Sequence, residues 1–169
     1  MNPSEKYDNY PFWIVLLSNL HSLLMYGLGF LVMLKLGLIP AIGYIVFVLI
    51  LEIRIIKNHC VDCYYWGKIC GFGKGKISAL FFRKGDISKF CLHEMTWKNM
   101  IPDMLVSVTP IIAGVILLCI DFDIKYLIFI ILIIALTTFG NGFIRGKLTC
   151  KFCKQREIGC SADKLFNKE

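Results

Sequence analysis

One cysteine spacing organises this chain, and its first copy reads Cys60-Val-Asp-Cys63-Tyr-Tyr-Trp-Gly-Lys-Ile-Cys70. The same Cys-x2-Cys-x6-Cys spacing returns as Cys150-Lys-Phe-Cys153-Lys-Gln-Arg-Glu-Ile-Gly-Cys160. Each cysteine of the second copy follows its counterpart at a constant offset of 90 positions. Self-similarity at a fixed offset is the signature of an internal repeat. We therefore predict two copies of one structural unit.

The composition is that of a membrane protein. Hydrophobic residues make up 57% of the 169 residues, whereas soluble domains contain about 45–50%. Each of the four apolar runs, at 12–34, 38–56, 101–120 and 126–144, is long enough to cross a ~30 Å hydrocarbon layer as a helix. We predict an all-α integral membrane protein with four transmembrane helices. They form two tandem helical hairpins, as a parallel internal repeat, and each hairpin is followed by a cytoplasmic cysteine segment.

The repeat predicts four consecutive segments. Residues 1–56 form the N-terminal tail and the first hairpin, and residues 57–99 contain the first cysteine motif and a basic amphipathic stretch. Residues 100–144 form the second hairpin, and residues 145–169 form a tail that carries the second motif.

The distribution of basic residues predicts the orientation in the membrane. Of 19 lysines and arginines, only Lys35 and Lys125 lie in the two short hairpin turns, which leaves 17 elsewhere. The positive-inside rule then places both termini and both cysteine motifs in the cytoplasm of a multi-pass, prokaryotic cell-membrane protein. The basic stretch 74–98 is expected to contact anionic lipid headgroups. The net charge of +7 therefore predicts a membrane partner and no nucleic acid, and no protein partner is indicated.

The six motif cysteines are candidate metal ligands. A reducing cytoplasm disfavours disulfides, and tetrahedral thiolate sites suit zinc or an iron–sulfur cluster. Each copy supplies only three thiolates, which leaves three arrangements open. The copies pool six cysteines around two zinc ions, or hold one iron–sulfur cluster with four of the six. In the third, each copy binds its own ion; the extra ligands available to the first copy are His59, Cys91 and His93.

The spacing of each copy resembles that of the fungal binuclear zinc-cluster domains. The second copy, with Lys154 and Arg156 between its cysteines, is similar even in its basic filling. The resemblance covers these two 11-residue stretches, and it implies two zinc ions with shared sulfurs. It implies a ligand geometry only, because two membrane spans separate the elements in this chain.

His21 is the candidate cofactor-binding residue inside the membrane, since it lies near the middle of the first span. It either contacts a quinone or a haem, or it is a neutral histidine bonded across the bundle to Ser107, Thr109 or Thr137. No catalytic triad, paired carboxylates or nucleophile elbow is present in the sequence, so no catalytic residue is predicted. If the chain is an enzyme, it is an oxidoreductase.

Three functions remain open on these residues. The first is a membrane metal-binding protein with a structural or sensory role, whose cytoplasmic cap has few apolar residues of its own and depends on metal for folding. The second is a redox protein that passes electrons between a cytoplasmic cluster or dithiol and a quinone near His21. In its four spans and Cys-x-x-Cys pairs it is similar to quinone-linked thiol oxidoreductases. The third is a metal-transport accessory.

Overall fold

The structure, a computed structural model, describes residues 6–92 and 97–160, and it describes side chains for 6–90 and 100–160. Within these residues all regular secondary structure is helical, and no strand is formed beyond an isolated parallel bridge between Tyr7 and Cys153. The α-helices are α1 Phe12–Leu36, α2 Leu38–Ile55, α3 Lys74–Phe81, α4 Ile87–Leu92, α5 Trp97–Ile120, α6 Ile124–Ala135 and α7 Gln155–Ile158.

The predicted membrane spans are present as helices. Four helical segments are long and apolar enough to cross a membrane: Phe12–Leu36, Leu38–Cys60, Met100–Ile120 and Ile124–Phe152. Large apolar side chains remain exposed along them, for example Leu23 at 66% and Ile39 at 86%. Exposed leucine and isoleucine on long helices are consistent with contact to lipid. Within the described residues, the prediction of an all-α chain with four helices long and apolar enough to cross a membrane is confirmed.

The backbone widens into π-helical turns before each cysteine motif. Helix α2 continues into a π-helical turn, Ile56–Cys60, and α6 continues into two, Leu136–Gly140 and Gly142–Thr149. A 3-10 turn, Cys150–Phe152, follows the last of them. The sequence predicts a regular fourth helix that ends at 144. The structure instead has a longer segment whose second half is mostly π-helical, a geometry often found at functional sites.

The chain divides into two compact units. The cysteine unit comprises 1–19, 53–96 and 143–169, and the helical unit comprises 20–52 and 97–142. Both cysteine motifs therefore belong to one unit, together with the N-terminal segment and the first two turns of α1.

The core of the helical unit is apolar and contains Val32, Met33, Ala41, Tyr44, Val48, Leu51, Val106, Ala113 and Ile133. The buried hydroxyl of Tyr44 donates a hydrogen bond to the carbonyl of Val106, 2.9 Å away. Gly29 lies so close to the Tyr44 ring that any side chain there would collide with it. His21 is only 7% exposed, and its imidazole lies against Gly140, where a Cβ atom would overlap the ring.

Candidate metal centre

The six motif cysteines lie in the cysteine unit, and each is half-buried. Cys63, Cys70 and Cys153 pack against a small core made of Tyr10, Ile14 and Tyr65. Tyr7, Tyr64, Ile69 and Leu148 extend this core. The expectation that the cap has few apolar residues of its own is thus corrected: Tyr7 and Tyr10 of the N-terminal segment combine with Tyr64 and Tyr65 of the first motif into an aromatic core.

The backbone folds in the same way around the middle cysteine of each motif. In the first motif the Trp66 N–H donates to the Cys63 carbonyl at 3.0 Å, and in the second the Arg156 N–H donates to the Cys153 carbonyl at 3.3 Å. Hydrogen bonding by the backbone of the second residue after each of these cysteines, Tyr65 and Gln155, lowers the pKa of the thiol against the larger effect of burial. The backbone of Arg156 lowers the pKa of Cys153 as well. Backbone donors of this kind stabilise a thiolate over a thiol.

The two motifs are joined by a reciprocal pair of hydrogen bonds. The backbone N–H of Tyr64 donates to Oε1 of Gln155 at 2.7 Å. The backbone N–H of Lys154 donates to the hydroxyl oxygen of Tyr65 at 3.0 Å. Tyr64 and Lys154 are counterparts at the 90-residue offset, and so are Tyr65 and Gln155. In each motif, the residue after the middle cysteine donates its backbone N–H to the opposite motif. The side chain of the following residue accepts the N–H that the opposite motif donates.

Burial and neighbouring thiols both raise the pKa of the middle cysteines. Desolvation raises the pKa of Cys63 to about 12, and the thiols of Cys153, Cys70 and Cys60 raise it further. Desolvation also raises the pKa of Cys153 to about 11, with contributions from Cys150 and Cys160. Cys63 is thus within electrostatic range of two thiols from its own motif and of one from the other.

The thiols approach one another without meeting at one point. Within residues 6–92 and 97–160, no three histidine, cysteine, aspartate or glutamate side chains are grouped closely enough to hold a metal ion as they stand. The donor chemistry nevertheless fits a thiolate-bound metal, because the unit concentrates soft sulfur ligands and aims backbone N–H groups at two of them. Coordination requires the side chains of the two motifs to turn toward a common centre.

The N-terminal segment also belongs to this site, which the sequence did not indicate. The Tyr7 N–H donates to the carbonyl of Phe152 at 3.1 Å, and the Tyr10 N–H donates to the carbonyl of Ile69 at 2.9 Å. The Tyr65 hydroxyl donates to the Tyr7 carbonyl at 2.6 Å. Residues 6–10, hereafter the N-terminal strap, therefore contact both motifs. Their only sequence signal is two tyrosines just before a membrane span, a pattern equally typical of an interfacial aromatic belt.

The remaining predicted residues lie in different places. His59 is in the π-helical turn that precedes Cys60, within the cysteine unit. Cys91 is in α4, its side chain outside the described part of the structure, and His93 lies outside the described residues. His21 belongs to the helical unit, and its proposed role with a quinone or haem stays a prediction.

No known protein family, curated protein sequence or solved structure matches this chain. The functional assignment therefore rests on the chain's own residues.

Proposed function

We propose that the chain is a membrane-anchored metal-binding protein. Its two duplicated cysteine motifs jointly hold zinc or an iron–sulfur cluster, and the metal fastens the two motifs together in a structural or sensory role. The ligands are Cys60, Cys63, Cys70, Cys150, Cys153 and Cys160.

The observation that carries this proposal is the reciprocal pair of hydrogen bonds between the motifs. Tyr64 with Gln155, and Lys154 with Tyr65, join the residues directly after Cys63 and Cys153. We infer a local twofold relation from these bonds, because backbone N–H groups at corresponding positions donate to the side chain at the next position of the opposite motif. A twofold arrangement supplies enough ligands. Three thiolates from one motif cannot complete a four-coordinate tetrahedral site, whereas thiolates from both motifs together can.

The surroundings of the middle cysteines support thiolate ligation. A bound cation favours the charged thiolate, and the N–H donors of Tyr65 and Gln155 stabilise the same charged form. Without a cation, burial keeps these sulfurs protonated. A positive ion is therefore the partner that best matches two buried thiols with aligned backbone donors.

The test is metal analysis with an absorption spectrum of anaerobically purified full-length protein. Stoichiometric zinc in a colourless sample supports a structural site. Iron with sulfide and a broad band near ~400 nm supports a cluster, and reversible bleaching of that band on reduction would favour the redox alternative. Protein that contains neither metal, with all six motif cysteines freely alkylated in the folded state, would contradict the proposal.

Single substitutions distinguish a shared site from two separate ones. Cys63→Ser and Cys153→Ser should each release metal bound by both motifs if the site is shared. If each motif bound its own ion, each substitution would release only about half of the metal. Cys119→Ser is the matched control, because Cys119 is an exposed cysteine near the end of α5 and lies in the other unit.

The charge distribution supports a cytoplasmic location for this site. With both termini inside, the two hairpin turns face outward, as expected for a parallel repeat of two hairpins. Cys119 lies close to the second turn, whereas Cys160 lies in the tail. A membrane-impermeant maleimide should therefore label Cys119 in intact cells and Cys160 only after the cells are opened. The reverse labelling order would contradict this orientation.

Helix α3 supports contact with anionic lipid. It buries Gly75 and Ser78 and exposes Leu80 at 79% and Phe81 at 74%. Exposed basic residues flank these apolar side chains, namely Lys76, Arg83 and Lys84. An apolar face bordered by lysine and arginine is typical of a helix lying at the headgroup level.

Hydrogen exchange in lipid nanodiscs tests this surface. The backbone amides of α3 should exchange more slowly in nanodiscs that contain anionic lipid than in purely zwitterionic ones. The double variant Leu80→Ser, Phe81→Ser should remove most of that difference. Equal exchange rates in both lipids would show that α3 does not rest on the headgroups.

A further inference from the structure

Asp8 is the charged centre of the N-terminal strap. Its Oδ1 atom is 2.7 Å from Nζ of Lys154 and accepts a hydrogen bond from the Tyr64 hydroxyl at 2.5 Å. Nζ of Lys68 lies 3.9 Å from the same oxygen and 3.9 Å from the centre of the Tyr64 ring. Tyr64 and Lys68 lie between the cysteines of the first motif, and Lys154 lies between those of the second.

One carboxylate therefore connects the two motifs. The hydrogen bonds from Lys154 and Tyr64 lower the pKa of Asp8, and this shift favours the charged carboxylate. Without the carboxylate, Lys68 and Lys154 would leave two positive charges facing each other where the motifs meet.

We propose that Asp8 is a positioning residue for the metal site: it holds the two cysteine motifs against each other and thereby slows release of the bound metal. This inference rests on the proposed function, since it assigns a further residue to the same site. The mechanism is electrostatic and local. Asp8 acts through Lys154 and Tyr64, which directly follow Cys153 and Cys63 in the chain.

Hydrogen bonds on both sides of Asp8 attach the N-terminal strap to the two motifs. The strap is attached to the second motif through Tyr7 and Phe152 and to the first through Tyr10 and Ile69. The side chain of Asn9 accepts the Ile69 N–H at 2.9 Å. Asp8 sits in the middle of these attachments, so loss of its charge loosens the strap at the point where it crosses from one motif to the other.

The experiment measures zinc transfer from the full chain in detergent micelles to an excess of a chromophoric chelator. Asp8→Asn should release zinc about 1.4- to fivefold faster than the unchanged protein, which is the range expected for exposed ion pairs. Asp86→Asn is the matched control. Asp86 is also an exposed carboxylate in the cysteine unit with a lowered pKa, but its hydrogen bonds go to nearby Ser88.

Charge reversal separates a positioning role from a general loss of stability. Asp8→Lys and Lys154→Glu should each accelerate zinc release, and the double variant should release zinc more slowly than either single variant. Release from Asp8→Asn at the unchanged rate, or additive acceleration in the double variant, would overturn the inference.

A metal-free readout keeps this inference separable from the proposed function. In the metal-free chain, the labelling rate of Cys63 and Cys153 by a neutral maleimide reports how tightly the motifs are closed. Asp8→Asn should label faster than Asp86→Asn. If the protein binds no zinc or iron, the proposed function fails, and the labelling rates still decide whether Asp8 holds the motifs together; equal rates would refute that role.

Discussion

Tyr65 provides the sharpest test of the junction between the two motifs. Its side chain is 1% exposed, and its hydroxyl accepts the Lys154 N–H at 3.0 Å and donates to the Tyr7 carbonyl at 2.6 Å. Tyr65→Phe removes one oxygen and leaves one N–H and one carbonyl without their protein partner. Each buried polar group left unsatisfied costs about 1–3 kcal/mol. We therefore expect the free energy of unfolding of the cysteine unit to fall by about 2–4 kcal/mol.

The assay is pulsed thiol labelling of metal-free protein across a urea series. At each urea concentration, the fraction of Cys63 and Cys153 labelled during a short pulse reports the unfolded population, and the midpoint reports stability if the slope is unchanged. Tyr64→Phe is the matched control, because it is the same substitution at the neighbouring position. The Tyr64 hydroxyl donates to the exposed carboxylate of Asp8, which water can solvate, so its loss should lower the midpoint less.

The comparison of the two tyrosines can refute the reasoning. Equal midpoints for Tyr65→Phe and Tyr64→Phe would mean that the buried hydroxyl does not join the motifs. Gln155 gives an independent check, since it is 1% exposed and accepts the Tyr64 N–H at 2.7 Å. Gln155→Ala should therefore lower the midpoint by an amount similar to Tyr65→Phe. A midpoint unchanged in Gln155→Ala would contradict the reciprocal arrangement.

The other predictions concern one glycine and the pH dependence of stability. Gly75→Ala should destabilise the cysteine unit by about 1–3 kcal/mol, because the new Cβ would overlap two backbone carbonyls of the first motif. Gly146→Ala is the control, because a Cβ added there would meet open space. It should leave the urea midpoint unchanged or slightly raised. The pKa of Asp8 in the folded chain is lowered from 3.8. Its contribution to the free energy of unfolding is therefore complete above 3.8 and is lost as pH falls through the lower folded pKa. Urea midpoints measured at decreasing pH should show this loss in the unchanged protein and not in Asp8→Asn. The pKa of Cys63 is raised from 9.0 to about 12, so metal-free protein should lose stability as pH rises through that interval. If Cys63→Ser lost stability with pH as steeply as the unchanged protein, the assigned pKa shift would be contradicted.

The membrane spans could be predicted from sequence because length and apolarity alone determine them. Any helix that crosses ~30 Å of hydrocarbon needs about 20 apolar residues, and the four runs meet that requirement one by one. The π-helical continuation of the fourth span could not be predicted in this way. Residues 136–144 read as a continuation of the fourth helix, and no local pattern in them specifies hydrogen bonds to the fifth residue rather than the fourth. Tertiary packing decides whether this segment forms π-helical or α-helical hydrogen bonds.

The N-terminal strap escaped prediction for a different reason. Residues 6–10 have no helical or strand periodicity, and their partners lie 56–151 positions away in the chain. The buried hydroxyl of Tyr10, for example, donates to the Thr149 carbonyl, 139 positions away. Contacts of this kind depend on which atoms folding brings together. The cysteine spacing was informative because it occurs twice in the chain. The strap sequence occurs once, so no second segment of the chain points to its role.

The reciprocal hydrogen bonds also explain why the proposed repeat is visible only in the cysteines. At the acceptor position one copy has Tyr65 and the other has Gln155, two side chains with little chemical likeness. Each nevertheless places an oxygen against a backbone N–H of the opposite motif, and an oxygen at that point is all the hydrogen bond needs. Metal ligation is less tolerant, because only cysteine supplies a thiolate. Duplicated copies can therefore diverge at the hydrogen-bonding positions while the six sulfurs retain their spacing, which is the pattern this chain has.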